Sequence, residues 1–128
     1  MSSRFVLDAS ALLAVANAEP GAGAVTGRPG RAVMSAINLA EVHTKLLQAG
    51  VSATDIAVGV GSLVAEVVPL DRPQAEAAAG LHARTRHLGL SLADAVCLQL
   101  GASLGVPVLT TDRDWSKVEG VGVVEVIR

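Results

Sequence analysis

The chain has no tyrosine, one phenylalanine and one tryptophan in 128 residues. So few aromatic rings argue against a stacking platform for single-stranded bases. Its single cysteine, Cys97, cannot form an internal disulfide and falls on the apolar side of a helical pattern, as a core thiol does. No apolar run approaches the roughly 20 residues that cross a bilayer, and residues 1–7 are too short for a signal-peptide core. A cytoplasmic protein without a membrane segment is therefore expected. No Gly-Lys-Ser/Thr loop is present, which excludes a phosphate-loop NTPase. Gly21-Ala-Gly-Ala-Val-Thr-Gly27 resembles a nucleotide loop only superficially, because it follows a helical stretch where a dinucleotide fingerprint follows a strand. Strong charge of either sign is also missing. A formal charge of −2 argues against a generic nucleic-acid binder. That objection weakens if four of the twelve acids occupy one metal site, which leaves eight against ten basic residues.

What the chain has in quantity is apolar surface: 51% of its residues are hydrophobic. A chain of this length forms one domain that buries about 70% of its unfolded surface. The apolar excess suggests that a partner covers part of the rest.

The most organised stretch is Ser91 to Gly105, followed at once by Val106 to Trp115. Leu92, Val96, Leu100 and Leu104 recur every fourth residue, Ser91 can cap the helix and Gly105 can end it. A buried strand, Val106 to Leu109, then runs into a polar turn. Elsewhere, Arg4 to Asp8 reads as a strand, Ala9 to Asn17 as a helix and Glu19 to Gly30 as a loop. Arg31 to Ile37 reads as a strand, and 38–49 and 52–64 as helices. Glu66 to Leu70 is an edge strand by its Pro69, Pro73 to His87 a helix, and Val118 to Val126 a final edge strand. Strands alternating with helices predict a parallel α/β sheet covered on both faces. The strand order does not follow.

Four acids stand at strand ends or helix starts: Asp8, Glu41, Asp94 and Asp112. In an open α/β sheet that edge is where ligands bind. Each acid has an ordinary explanation. Ser91 with Asp94, and Asn38 with Glu41, have the capping-box spacing, and Asp8 and Asp112 can cap the turns they precede. The coincidence of four is what points to a site. Carboxylates ~5 Å apart repel by roughly 3 kcal/mol per pair at an effective dielectric of about 20, so either some hold protons or a cation sits among them. An all-oxygen donor set favours Mg²⁺ or Mn²⁺ over Zn²⁺, and a water on such an ion can attack phosphorus. Ser10 and Thr110, two residues from Asp8 and Asp112, can orient the carboxylates.

Val6-Leu-Asp-Ala-Ser10, Asn38-Leu-Ala-Glu41, Leu90-Ser-Leu-Ala-Asp-Ala95 and Leu109-Thr-Thr-Asp-Arg-Asp-Trp115 together resemble the PIN-domain ribonucleases, and more closely the VapC-type toxins of bacterial toxin–antitoxin pairs. The resemblance spans the chain in the family's motif order. It implies one PIN-like domain with a five-stranded parallel sheet and helices on both faces. It also implies Mg²⁺- or Mn²⁺-dependent cleavage of RNA, a homodimer, and inhibition by a cognate antitoxin. The family's acids carry over onto Asp8, Glu41, Asp94 and Asp112, and its hydroxyl onto Thr110. Asp114 is an extra acid that can substitute in part for Asp112.

Arg84, Arg86, Arg113 and Lys117 are candidate contacts to RNA or antitoxin, against the plain alternative of solvated helix ends and turns. His43 follows Glu41 on the same helix but points roughly 200° away from it by helix geometry, and His82 and His87 belong to no acid motif. Two rival readings use the same residues. A phosphoacceptor signalling domain also places acids at strand ends around Mg²⁺, but Asp8 has no acidic neighbour and Lys117 precedes the last strand. A non-catalytic interaction module would use the acids only as caps.

Overall fold

A computed structural model of the chain describes residues 3–128. Five strands, β1 (Arg4–Leu7), β2 (Arg31–Ser35), β3 (Glu66–Val68), β4 (Val108–Thr110) and β5 (Val124–Val126), form one parallel sheet in the order β3-β2-β1-β4-β5. Among the described residues six α-helices cover it: α1 (Ala9–Ala16), α2 (Ala22–Thr26), α3 (Ala36–Gln48), α4 (Ala53–Leu63), α5 (Arg72–Arg84) and α6 (Leu92–Leu104). The chain builds outward from β1 to β3, then crosses back to add β4 and β5 on the other side. The reversal lies between β1 and β4, where an open sheet leaves a crevice beyond its carboxyl ends.

The period-two alternation of the central strands explains the two cores. Phe5, Leu7, Ala32, Met34 and Leu109 face a cluster completed by α1, α3 and α4. Val6, Val33 and Val108 face a second cluster completed by α5, α6 and Trp115. Helix α6 is buried on most of its circumference, Cys97 included, and lies so close to the sheet that a Cβ on Gly101 would stand 2.2 Å from Val108 Cγ2. It starts at a full capping box between Ser91 and Asp94 and stops at Gly105, whose φ of 66° suits glycine. Leu92, however, is exposed; its every-fourth-residue pattern reaches the core only from Val96 onward.

Several boundaries differ from the sequence reading. The 19–30 segment is not all loop, since α2 forms within it. The second strand ends at Ser35, whose hydroxyl caps α3. Asn38 therefore lies inside the helix and forms no capping box with Glu41. The third strand stops at Val68 and the last begins only at Val124, because Gly120 and Gly122 take positive φ and turn the chain before it can pair. Helix α5 stops at Arg84, and a 3-10 turn, Arg86–Leu88, follows it. Both β3 and β5 are edge strands, as expected. No helix among the described residues is long and apolar enough to cross a membrane.

Candidate active site

The carboxyl end of β1 delivers Asp8 to the crevice. Its backbone carbonyl accepts from Ala11 and Leu12 to start α1, but its side chain makes no cap bond. Instead Oδ2 accepts from the hydroxyls of Ser10 at 2.5 Å and Thr110 at 2.8 Å. Ser10 Oγ accepts from the amide of Thr111, and Thr110 Oγ1 from that of Asp112. The pair of hydroxyls thus ties the end of β1 to the end of β4 and aims the turn that carries Asp112. Ser10 and Thr110 are where the sequence placed them, beside the carboxylates.

Asp8, Glu41, Asp94 and Asp112 all line a single cleft of about 380 Å³, with Lys45, Leu13, Thr111 and Trp115. They descend in burial: Asp8 is buried, Glu41 and Asp94 are half-buried and Asp112 is exposed. Each commits one carboxylate oxygen to a protein donor. Asp8 uses Oδ2, Glu41 uses Oε1 on the Asn38 amide at 2.9 Å, Asp94 uses Oδ2 on the Ser91 amide at 2.9 Å, and Asp112 uses Oδ1 on the Asp114 amide at 2.9 Å. The second oxygen of each has no hydrogen-bond donor among the described residues. Capping and site-building therefore coexist in the side chains of Asp94 and Asp112, whereas those of Asp8 and Glu41 make no cap bond.

Burial pushes the Asp8 carboxyl up from 3.8 to about 6, against the two hydroxyl hydrogen bonds and with the help of Asp94 and Glu41. Burial also raises Asp94, whose capping bonds to Ser91 oppose the rise while Asp112 adds to it. The acids therefore sense one another across the cleft. A cation would relieve this repulsion, and the donor set, oxygen throughout, fits a small hard dication. Among the described residues no three acidic, His or Cys side chains stand in ion-holding geometry.

Lys45 escapes the sequence reading, which takes Asn38 only as a capping partner of Glu41. Lys45 lines the cleft one helical turn after Glu41; its i+4 spacing is the signal that would have found it. Asn38 is fully buried, and its amide donates both to Glu41 and to the carbonyl of Ala93 at 3.4 Å, while its Oδ1 has no partner. Asn38 thereby ties Glu41 and α3 to the first turn of α6. Asp114 stands outside the cleft lining, and its carboxylate is taken by Lys117 at 2.9 Å, so it is not placed to substitute for Asp112. Arg84 and Lys117 line a neighbouring pocket with His87, while Arg86 and Arg113 are exposed, the latter donating to the carbonyl of Arg128.

A parallel α/β sheet with four acids lining one cleft near its switch point is the arrangement that the chain presents. The model of the PIN domain family matches residues 5–121, and the chain belongs to that family. No curated protein matches it. Among solved structures it is similar to a member of the VapBC family of toxin–antitoxin systems, VapBC-5 from Mycobacterium tuberculosis, at 26% identity and TM-score 0.64 over 98% of both chains. It also shares its fold with VapC20 of the same organism, a sarcin-ricin loop cleaving toxin, at 20% identity and TM-score 0.72 over 93% of this chain and 98% of that one. A toxin–antitoxin complex from Klebsiella pneumoniae aligns at 17% identity and TM-score 0.73 over 94% of each chain.

Proposed function

We propose that this chain is the toxin of a toxin–antitoxin pair and acts as a divalent-metal-dependent endoribonuclease. The observation that carries the reading is the single cleft lined by Asp8, Glu41, Asp94 and Asp112, each with one oxygen free of protein donors. These four would hold Mg²⁺ or Mn²⁺, which supplies charge neutralisation at the phosphate and lowers the pKa of water. Ser10 and Thr110 hold Asp8 in place, and their hydrogen bonds occupy its Oδ2 and leave Oδ1 free. Asn38 does the same for Glu41. Attack by water in line on phosphorus expels the 3′-oxygen and leaves a 5′-phosphate and a 3′-hydroxyl. None of the three histidines lines the cleft, which disfavours the acid–base route through the 2′-hydroxyl.

The partner is an antitoxin. An apolar groove of about 370 Å³, lined by Leu12, Val15, Leu46, Ile56, Val60 and Leu63, runs between α1, the end of α3 and α4. It accepts the apolar face of an antitoxin segment, and an antitoxin arginine reaching the acids would replace the cation. The toxin works as a homodimer in the cytoplasm. The test of the chemistry is end analysis of RNA fragments made with Mg²⁺ and with EDTA. Phosphate at the 5′ end and dependence on the metal are expected. Cyclic phosphate ends, or unchanged cleavage in EDTA, would sink the mechanism.

The phosphoacceptor alternative is less well supported, because Asp8 is wedged under Ser10 and Thr110 and no lysine follows β4 directly into the cleft.

A further inference from the structure

A cleft with four carboxylates repels an RNA strand everywhere except at its metal, so the strand needs cations of the protein's own on either side. The structure has two such points. The first is Lys45, the basic residue in the cleft lining, which makes no ion pair among the described residues. The second is a polar cavity of about 330 Å³ lined by Arg84, His87, Lys117 and Glu119 over Thr85 and Leu88. Lys45 stands on α3, which leaves β2, and Lys117 ends the 3-10 turn Arg113–Lys117, which leaves β4. Strands β2 and β4 flank β1, so the elements that carry the two points leave the sheet on either side of the strand that ends in Asp8.

The cavity is also bound closely to the acids by the chain itself. Asp112 caps the turn that Lys117 ends, and the buried Trp115 of that turn lines the cleft. His87 precedes by four residues the Ser91 that holds Asp94 in its capping box. The cations there are available. Arg84 has no ion pair among the described residues, and the Lys117–Asp114 pair is exposed, with side-chain exposures of 64% and 53%. Such a pair contributes little and yields to a stronger anion. Glu119 opposes one of the two full charges, so the cavity suits a single phosphate.

We propose that the RNA strand is gripped at two points straddling the acids, one phosphate by Lys45 in the cleft and another by Arg84 and Lys117 in the adjoining cavity. The proposal rests on the nuclease reading and names where its substrate lies. The test is fluorescence anisotropy of a labelled single-stranded RNA on the full chain in EDTA, as a function of salt, for wild type, Lys45→Gln and the double variant Arg84→Gln/Lys117→Gln. Each lost phosphate contact lowers the slope of log K against log salt by about 0.7. The single variant is expected to lose about one such step, and the double variant one to two, each with several-fold weaker binding. Arg72→Gln removes an exposed cation at the far end of α5 and should bind as wild type does. Thermal melting checks that all variants are folded. Equal slopes in all of them, in a protein that does cut RNA with Mg²⁺, would overturn the grip and leave the nuclease reading intact. A wild type that neither binds nor cuts RNA would remove both.

Discussion

The hydroxyl of Thr110 donates to Oδ2 of Asp8 at 2.8 Å, a buried bond between residues 102 positions apart that joins the carboxyl ends of β4 and β1. The Thr110 hydroxyl oxygen in turn accepts from the Asp112 amide, so one hydroxyl sets the posture of two acids. Thr110→Val keeps the shape and removes both bonds. Outer partners of this kind are worth about 10–100-fold in metal affinity or activity. A loss of that size in the midpoint for Mn²⁺ is expected, with the fold retained. Wild-type metal response in Thr110→Val would show that Asp8 does not need the bond.

Asp8 also makes the metal-free protein sensitive to pH. Its carboxyl is raised to about 6 in the folded chain against 3.8 for the free group. Between these values the folded state holds a proton that the unfolded state has released. Stability in EDTA therefore falls as pH rises from about 4 to about 6, and stays low above it. The full effect is on the order of 3 kcal/mol. Urea melts from pH 4 to pH 7 measure it. Asp8→Asn should flatten the profile and be the more stable protein at pH 7; a profile that is equally steep in the variant would place the titrating group elsewhere.

Metal should reverse that cost. On the proposed reading Mn²⁺ or Mg²⁺ binds the folded acids, and the melting temperature is then expected to rise with concentration, by the equivalent of about 2.7 kcal/mol at a hundred times the dissociation constant. Asp8→Asn, Glu41→Gln and Asp94→Asn should each blunt the rise and abolish cutting while still folded. Asp112→Asn is expected to be as severe, since Asp114 stands outside the cleft lining. If Asp8→Asn and wild type respond to Mn²⁺ alike, the ion binds at another place.

Asn38 is the least obvious member of the site. Asn38→Ala removes the donor that orients Glu41 and links it to Ala93. Leaving buried polar groups unpaired costs about 1–3 kcal/mol, readable as a lower melting temperature. Its specific signature is a weaker stabilisation by Mn²⁺ than wild type shows at matched concentration. A variant that melts lower but gains as much from Mn²⁺ would make Asn38 a packing residue only.

Self-association follows from the homodimer reading. With 51% hydrophobic residues, and Val58, Leu47 and Val123 among the exposed ones, the isolated chain should scatter light as a dimer at micromolar concentration. A monomer at that concentration would count against it.

Much of this protein was legible in one dimension, for local reasons. Strand residues alternate faces, helix residues recur every third or fourth position, and glycine ends α6 because only a left-handed residue closes it there. The capping box of Ser91 and Asp94 is equally local. The four acids could be picked out because each sits at a strand end or near a helix start, and the ordered motifs around them pointed to the family that residues 5–121 match.

Tertiary structure decided what depends on partners distant in sequence. The order β3-β2-β1-β4-β5 comes from which edge a returning strand finds, and no periodicity records that. Ser35 rather than Asn38 caps α3, which frees the Asn38 amide for Glu41 and Ala93 inside the fold. Asp8 and Asp94 have similar local settings, an acid at a helix start, yet one is buried under two hydroxyls and the other completes a cap. Their difference arises from Thr110, 102 residues away from Asp8, and from the burial that only the closed sheet and its helices impose.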